Sequence, residues 1–186
     1  MRIPALLGLV RLLRRPEWTK DEEQSPQMRL GKFAVDNAEP VVVFLVGIRI
    51  NRWWRARHWL PLLLAMPGAL DELTAQPDGG LLGYRLLLGP GPRQAMLLQY
   101  WRSVGDLRAF ARHPESIHRA AQRRLWQHYA RAGGAVGVWH EMLPLSEGSY
   151  HSLYGNMPPT GIGALRPLRQ QAWEMEAAAT AEPRRP

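Results

Sequence analysis

Apolar positions along the chain fall into runs of two kinds. "VVVFLVGIRI" (Val41–Ile50) is β-branched and apolar without alternation at its start, the pattern of a strand buried on both faces. "WLPLLLAMPGALDELTAQ" instead places Leu60, Leu63, Leu64, Leu70 and Leu73 at a helical period. Pro61 suits a first turn, and Pro67 is expected to kink or break the helix. "LLGYRLLLG" and "QAMLLQYWR", joined by "GPGPR", read as two strands of a hairpin. Ser103 with Asp106 three positions on is an N-cap signature, so a helix starts there. His113-Pro114 interrupts it, a second helical stretch runs from about Pro114 to Ala132, and Gly133-Gly134 stops that one. "AVGVWHEMLPL" is a last strand.

The order strand, helix, strand, strand, helix, strand is the ferredoxin-like βαββαβ pattern, an α+β fold with a four-stranded antiparallel sheet. Helices cover one face of such a sheet. The first strand is apolar on both sides, so the other face needs a cover as well. A second copy of the same sheet is the economical one, which gives a dimeric α+β barrel and a homodimer. The chain divides into an N-terminal extension (1–27), a barrel domain (28–145) and a tail (146–186) that reads as irregular and contains "YGNMPPTGIG". "WTKDEEQSPQ" (Trp18–Gln27) is a polar linker, and ordered structure is expected to begin near Pro40.

Composition narrows the chemistry. The 186 residues contain no cysteine, which excludes disulfides, thiol catalysis and Cys-ligated metal. This fits a reducing compartment, and a cytoplasmic protein is expected. The net charge of +8 is concentrated in the middle, where residues 41–145 carry thirteen bases and six acids. No apolar run approaches the roughly 20 residues that a membrane-spanning helix needs. In "MRIPALLGLVRLLRR", Leu6, Val10 and Leu13 share a helical face, with Arg11, Arg14 and Arg15 on another. Contact of residues 1–15 with an anionic membrane is one reading. A helix docked on the domain, or a start codon placed too far upstream of a domain that Met28 could open, is favoured over it.

Strand alternation sorts the candidate site residues. On the first strand Val42, Phe44, Val46, Ile48 and Ile50 should face the helices, leaving Val43, Leu45, Gly47, Arg49 and Asn51 for the barrel. On the third strand Gln99 and Trp101 are assigned to the barrel. On the last strand Trp139 and Glu141 lean inward, and Arg85 is the polar member of the second strand. Apolar walls with a few polar groups near strand ends describe a small-molecule pocket. Arg49 and Glu141 could equally be an ion pair between neighbouring strands that serves structure alone. His118, in the second helical stretch, is the candidate base or ligand. His113 and His118 are five apart, a poor spacing for two helical ligands, and no metal site is expected. Arg49, Arg52, Arg55 and Arg57 stand at a strand end and turn beside Trp53 and Trp54 rather than along one face, so nucleic acid is not an expected partner.

"VVFLVGIRINRWW", "WLPLLLAMPGALDEL", "GLLGYRLLLG", "LLQYWRSVGDLRAFAR", "VGVWHEMLPL" and "YGNMPPTGIG" resemble, block by block, a bacterial and fungal family of monooxygenase-like proteins. That family includes the oxidative-cleavage enzyme of fumagillin biosynthesis. The resemblance covers roughly residues 30–165 and implies the dimeric α+β barrel and a place in secondary metabolism. In haem-degrading relatives an Asn on the first strand, a Trp near the third and a helix His form the site. Asn51, Trp101 and His118 occupy loosely similar places, though the Trp101–His118 spacing is longer than in those relatives.

The resulting expectation is a monooxygenase acting on a small, largely apolar substrate, without a cofactor. His118 would be the base, Arg49 would stabilise an anion, and Asn51 and Trp101 would position substrate and oxygen. Arg85, Gln99, Trp139, Glu141 and Tyr154 would contact the substrate. The "YGNMPP" segment would fold over the pocket mouth or brace the dimer. The alternatives are a haem-binding or aldoxime-dehydratase-like protein with His118 as axial ligand, and a non-catalytic ligand-binding barrel.

Overall fold

From the N-terminus the strands are β1 (Arg29–Val35), β2 (Val41–Ile50), β3 (Leu81–Leu88), β4 (Gln94–Trp101), β5 (Val136–Leu145), β6 (Tyr154–Met157) and β7 (Leu168–Gln171). The helices are α1 (Ala56–Thr74) and α2 (Val104–Arg112). The computed structural model describes residues 27–36, 39–74, 79–89, 91, 93–112, 127 and 130–171. The N-terminal segment 1–15 and His118, both singled out above, lie outside these residues, as does most of the second helical stretch.

The main sheet has four antiparallel strands in the order β3-β4-β2-β5. This is the ferredoxin-like arrangement that the element order predicts. The strand that is apolar on both faces, β2, is central, and the β3–β4 hairpin forms as expected. Pro144 sits in β5, an edge strand, where a missing N–H breaks no interior ladder. The predicted cap also forms. The Asp106 backbone N–H donates to Ser103 Oγ at 3.0 Å, and that hydroxyl donates to Asp106 Oδ2 at 2.7 Å.

Three expectations are corrected. First, α1 runs unbroken from Ala56 to Thr74 through both Pro61 and Pro67. Each proline removes one backbone bond, and the helical turns on either side of it persist. Second, ordered structure begins before Pro40, with β1. Third, the segment after Leu145 is regular in part. β6 and β7 pair antiparallel with the two sides of β1 as a separate three-stranded sheet, β6-β1-β7. Asn156, in left-handed backbone at φ 49, accepts from the Gly31 N–H through Oδ1 at 2.8 Å. Asn tolerates that conformation better than most residues.

Two cores follow. Val42, Leu81, Leu97 and Trp101 pack with Leu107 and Phe110 of α2. Val35, Tyr154 and Ile162 of the small-sheet region pack with Val41, Leu82, Tyr100 and Leu145 of the main sheet, joining the two sheets at one end of β2.

Candidate active site

The apolar parity set of β2 faces α2, as predicted, since Phe44 and Val46 pack on the α2 core. Val43, Leu45, Gly47 and Arg49 are therefore on the open face. On β3, Tyr84 and Leu86 join the helix-side core, which leaves Arg85 and Leu87 on the open face.

On β4 the expected faces are reversed. Trp101 is 1% exposed and its ring lies 5.6 Å from that of Phe110 in α2. Gln99 is buried beside it, accepting the Trp101 indole N–H through Oε1 at 2.8 Å. That bond satisfies both polar groups inside an apolar layer, which lets Gln99 face the helices. Met96, Leu98 and Tyr100 take the open face in their place.

On β5 the expected face holds. Phe44 meets His140 on the helix side with ring centroids 5.8 Å apart. Trp139 lies on the other side, over Gly47, where an added Cβ would fall 2.5 Å from its Nε1. Glu141 shares that face and is exposed. Arg49 pairs in register with Gly137, whereas Glu141 pairs with Leu45. Four positions of strand separate them, roughly 13 Å, so they do not form the ion pair considered above.

The register also separates Asn51 from Trp101. Val42 pairs with Trp101, and Arg49 pairs with Gln94. Asn51 follows Ile50, so the two stand at opposite ends of the sheet, roughly 30 Å apart. Antiparallel neighbours end at opposite edges, and residues that each close a strand cannot share one mouth. Asn51 caps a loop, its Nδ2 donating to the Gly134 carbonyl at 3.1 Å. With Trp101 on the helix side as well, these positions do not fit a haem held as the resemblance implies. Among the described residues, no three His, Asp or Glu side chains gather as a metal site.

What the open face does bring together is a polar group at the small-sheet end. Arg85 Nη1 donates to Thr160 Oγ1 at 3.3 Å. Tyr100 stands one diagonal step away, because Gly83 pairs with Tyr100 and Arg85 with Leu98. Burial pushes the Tyr100 phenol above its ordinary range, and nearby Tyr154 pushes it the same way, while a hydrogen bond with the Ile162 backbone opposes them. Tyr100 is thus a neutral O–H donor at neutral pH. Tyr154 is buried, with its hydroxyl accepting the Gly163 N–H at 3.0 Å. It supports the turn at residues 160–163 that borders the face. Tyr100 and Thr160 were not singled out from the sequence. Their signal was the parity partner of Gln99 and Trp101 on β4 and the segment just past "YGNMPP".

The middle of the face is apolar: Val43, Leu45, Met96 and Leu98 are half-buried, and Trp139 and Leu143 are 38% and 46% exposed. It offers an apolar floor about two strands wide, with Arg85 and Tyr100 on neighbouring strands at one end and Trp139 with Glu141 along one side.

The fold is similar to that of several solved structures. An aldoxime dehydratase in complex with butyraldoxime is 15% identical, with 84% of this chain and 43% of that one covered and a TM-score of 0.50. SnoaB, a cofactor-independent oxygenase from Streptomyces nogalater, is 12% identical, with 55% and 90% covered and a TM-score of 0.36. A conserved Bacteroides thetaiotaomicron protein of unknown function, described as a possible oxidoreductase, is 15% identical, with 58% and 100% covered and a TM-score of 0.36. No curated protein sequence matches. The sequence pattern itself decides the family: it fits the monooxygenase af470-like model over residues 41–162, and the chain belongs to that family.

Proposed function

We propose that this protein is a monooxygenase that holds a small, largely apolar substrate against the open sheet face, with a second copy of the chain closing the face. The observation that carries the reading is the placement of Arg85 and Tyr100 on neighbouring strands, one diagonal step apart, at the end of an apolar floor. The half-buried floor supports the second copy, because one subunit leaves it in partial contact with water.

The chemistry suited to such a face needs no resident redox group. A substrate with an acidic C–H bond loses a proton and becomes an electron-rich anion. Dioxygen takes electrons from that anion and bonds to the carbon. One oxygen atom stays as a carbonyl and the other leaves as water, so a CH₂ group and O₂ become C=O and H₂O. Arg85 and the neutral Tyr100 hydroxyl hold the anionic oxygen of the substrate by charge and hydrogen bond. The apolar floor excludes water and favours the flat, electron-rich body of the ligand. In this proposal His118 remains the candidate base. Arg49 and Asn51 belong to the far rim, and Trp101 and Gln99 support the sheet from behind. The cell compartment expected is the cytoplasm.

Oxygen uptake tests this with a panel of enolisable polycyclic ketones, electron-rich phenols and polyenes. A substrate should be consumed with one O₂ per turnover, and Arg85→Met or Tyr100→Phe should lower kcat by roughly 100-fold. A compound that binds without oxygen uptake would make the protein a binding barrel instead. A saturable Soret band on hemin titration, lost in His118→Ala, would favour the haem reading. A monomeric mass in solution at micromolar concentration would remove the second copy.

A further inference from the structure

Charge is distributed unevenly between the two ends of the main sheet. At the end where β2 leaves, three loops meet. The Ile50 N–H donates to the Arg93 carbonyl at 2.8 Å, and the Asn51 and Arg52 N–H groups both donate to the Ala135 carbonyl at 2.9 and 3.2 Å. These loops and the ends of the strands and helices beside them carry Arg49, Arg52, Arg55, Arg57, Arg93 and Arg131, and among the described residues no acid stands with them. Asp36, Glu39, Asp106 and Glu147 all lie toward the opposite end, where Asp36, Glu39 and Asp106 pair with Arg169, Arg166 and Arg102.

Trp54, between Arg52 and Arg55 in the chain, is 77% exposed. Trp53 beside it is 45% exposed and stacks on Trp59, with centroids 4.9 Å apart. The Trp59 indole N–H donates to the Trp53 carbonyl at 3.0 Å, which fixes the corner that presents Trp54. An exposed indole at an end of the sheet rich in arginine suits a surface that is anionic outside and apolar just beneath. Nucleic acid asks for cations tracking a backbone and an open ring to stack on. Here the cations come from separate segments that meet at one end of the sheet, with an exposed indole among those segments.

We propose that this rim, centred on Trp54 with Arg52 and Arg93, docks the protein on an anionic lipid surface. The open sheet face ends at the rim through Arg49, so docking there turns the mouth of the face toward the bilayer. This last consequence rests on the proposed function, whereas docking is measured without any activity assay.

The test is co-sedimentation of the full chain with phosphatidylcholine vesicles, with and without phosphatidylglycerol. The protein should pellet with the anionic vesicles alone and be released by salt. Arg52→Gln with Arg93→Gln should lower the partition coefficient roughly 20-fold, and Trp54→Ser should lower it further. Arg102→Gln with Arg169→Gln, the same charge change at the opposite end, should leave it within about twofold. All of these positions are exposed, and circular dichroism checks that each variant folds. Equal losses from both Arg pairs would overturn the proposal by showing a response to net charge alone. Undiminished binding in the combined Arg52, Arg93 and Trp54 variant would overturn it by placing the contact elsewhere. An oligonucleotide that binds more tightly than the vesicles, and loses binding with the same substitutions, would assign the rim to nucleic acid.

Discussion

Gly47 shows how one missing side chain shapes the open face. The Trp139 indole lies flat where a Cβ would be, with Nε1 and Cε2 at 2.5 and 2.6 Å from that position. Gly47→Val must therefore expel the indole or move the strand. A loss of about 1–3 kcal/mol is expected in urea unfolding, with a smaller loss in a Trp139→Ala background. A penalty that is the same in both backgrounds would show that Trp139 does not fill this space. Gly163 has the same relation to Tyr154, whose ring would lie 2.6 Å from an added Cβ. Tyr154→Phe keeps the ring and removes the acceptor for a buried N–H, which should cost about 1–3 kcal/mol. It should also shift the titration of Tyr100 downward, since Tyr154 raises it.

At the scale of elements, α2 is anchored at its first turn. Ser103→Ala removes the hydroxyl that caps the helix and should cost about 1 kcal/mol by thermal or urea unfolding. Asp106 adds a pH dependence. Hydrogen bonds from Arg102 and Ser103 hold its carboxyl below the ordinary carboxylate range. A depressed folded value means that its contribution is present above the unfolded value and disappears as pH falls through the folded one. The Tm difference between wild type and Asp106→Asn should therefore be steady above about pH 5 and shrink progressively as the pH falls through the acid range. The contribution is small, because the pair is at the surface. A difference that persists in acid would mean that the carboxylate charge is not its source.

For the whole molecule the consequential contact joins the two sheets. Ile162, Tyr154 and Val35 pack on Val41, Tyr100 and Leu82, so the small sheet and the polar end of the candidate site share one core. Ile162→Ala should cost about 2–4 kcal/mol. It should also weaken substrate binding, because the Ile162 side chain belongs to the core against which Tyr100 packs. Unfolding should stay a single transition, with far-ultraviolet circular dichroism and tryptophan fluorescence coincident. Separate midpoints would show that the sheets unfold independently.

Local pattern in the sequence determined β2, the β3–β4 hairpin, β5, the α2 cap and the βαββαβ order, because each is written in neighbouring residues. It also oriented β2, whose two parity sets differ in polarity. It did not orient β4, where Leu97, Gln99 and Trp101 are as mixed as Met96, Leu98 and Tyr100. That choice came from the Gln99–Trp101 hydrogen bond and the packing on Phe110. The small sheet was hidden for a related reason. Gly31 and Asn156 meet across 125 positions of chain, and short polar strands carry little periodicity of their own. The antiparallel register is likewise a relation between strands, so tertiary structure alone set Asn51 and Trp101 at opposite ends of the sheet and brought Arg85, Tyr100 and Thr160 to one.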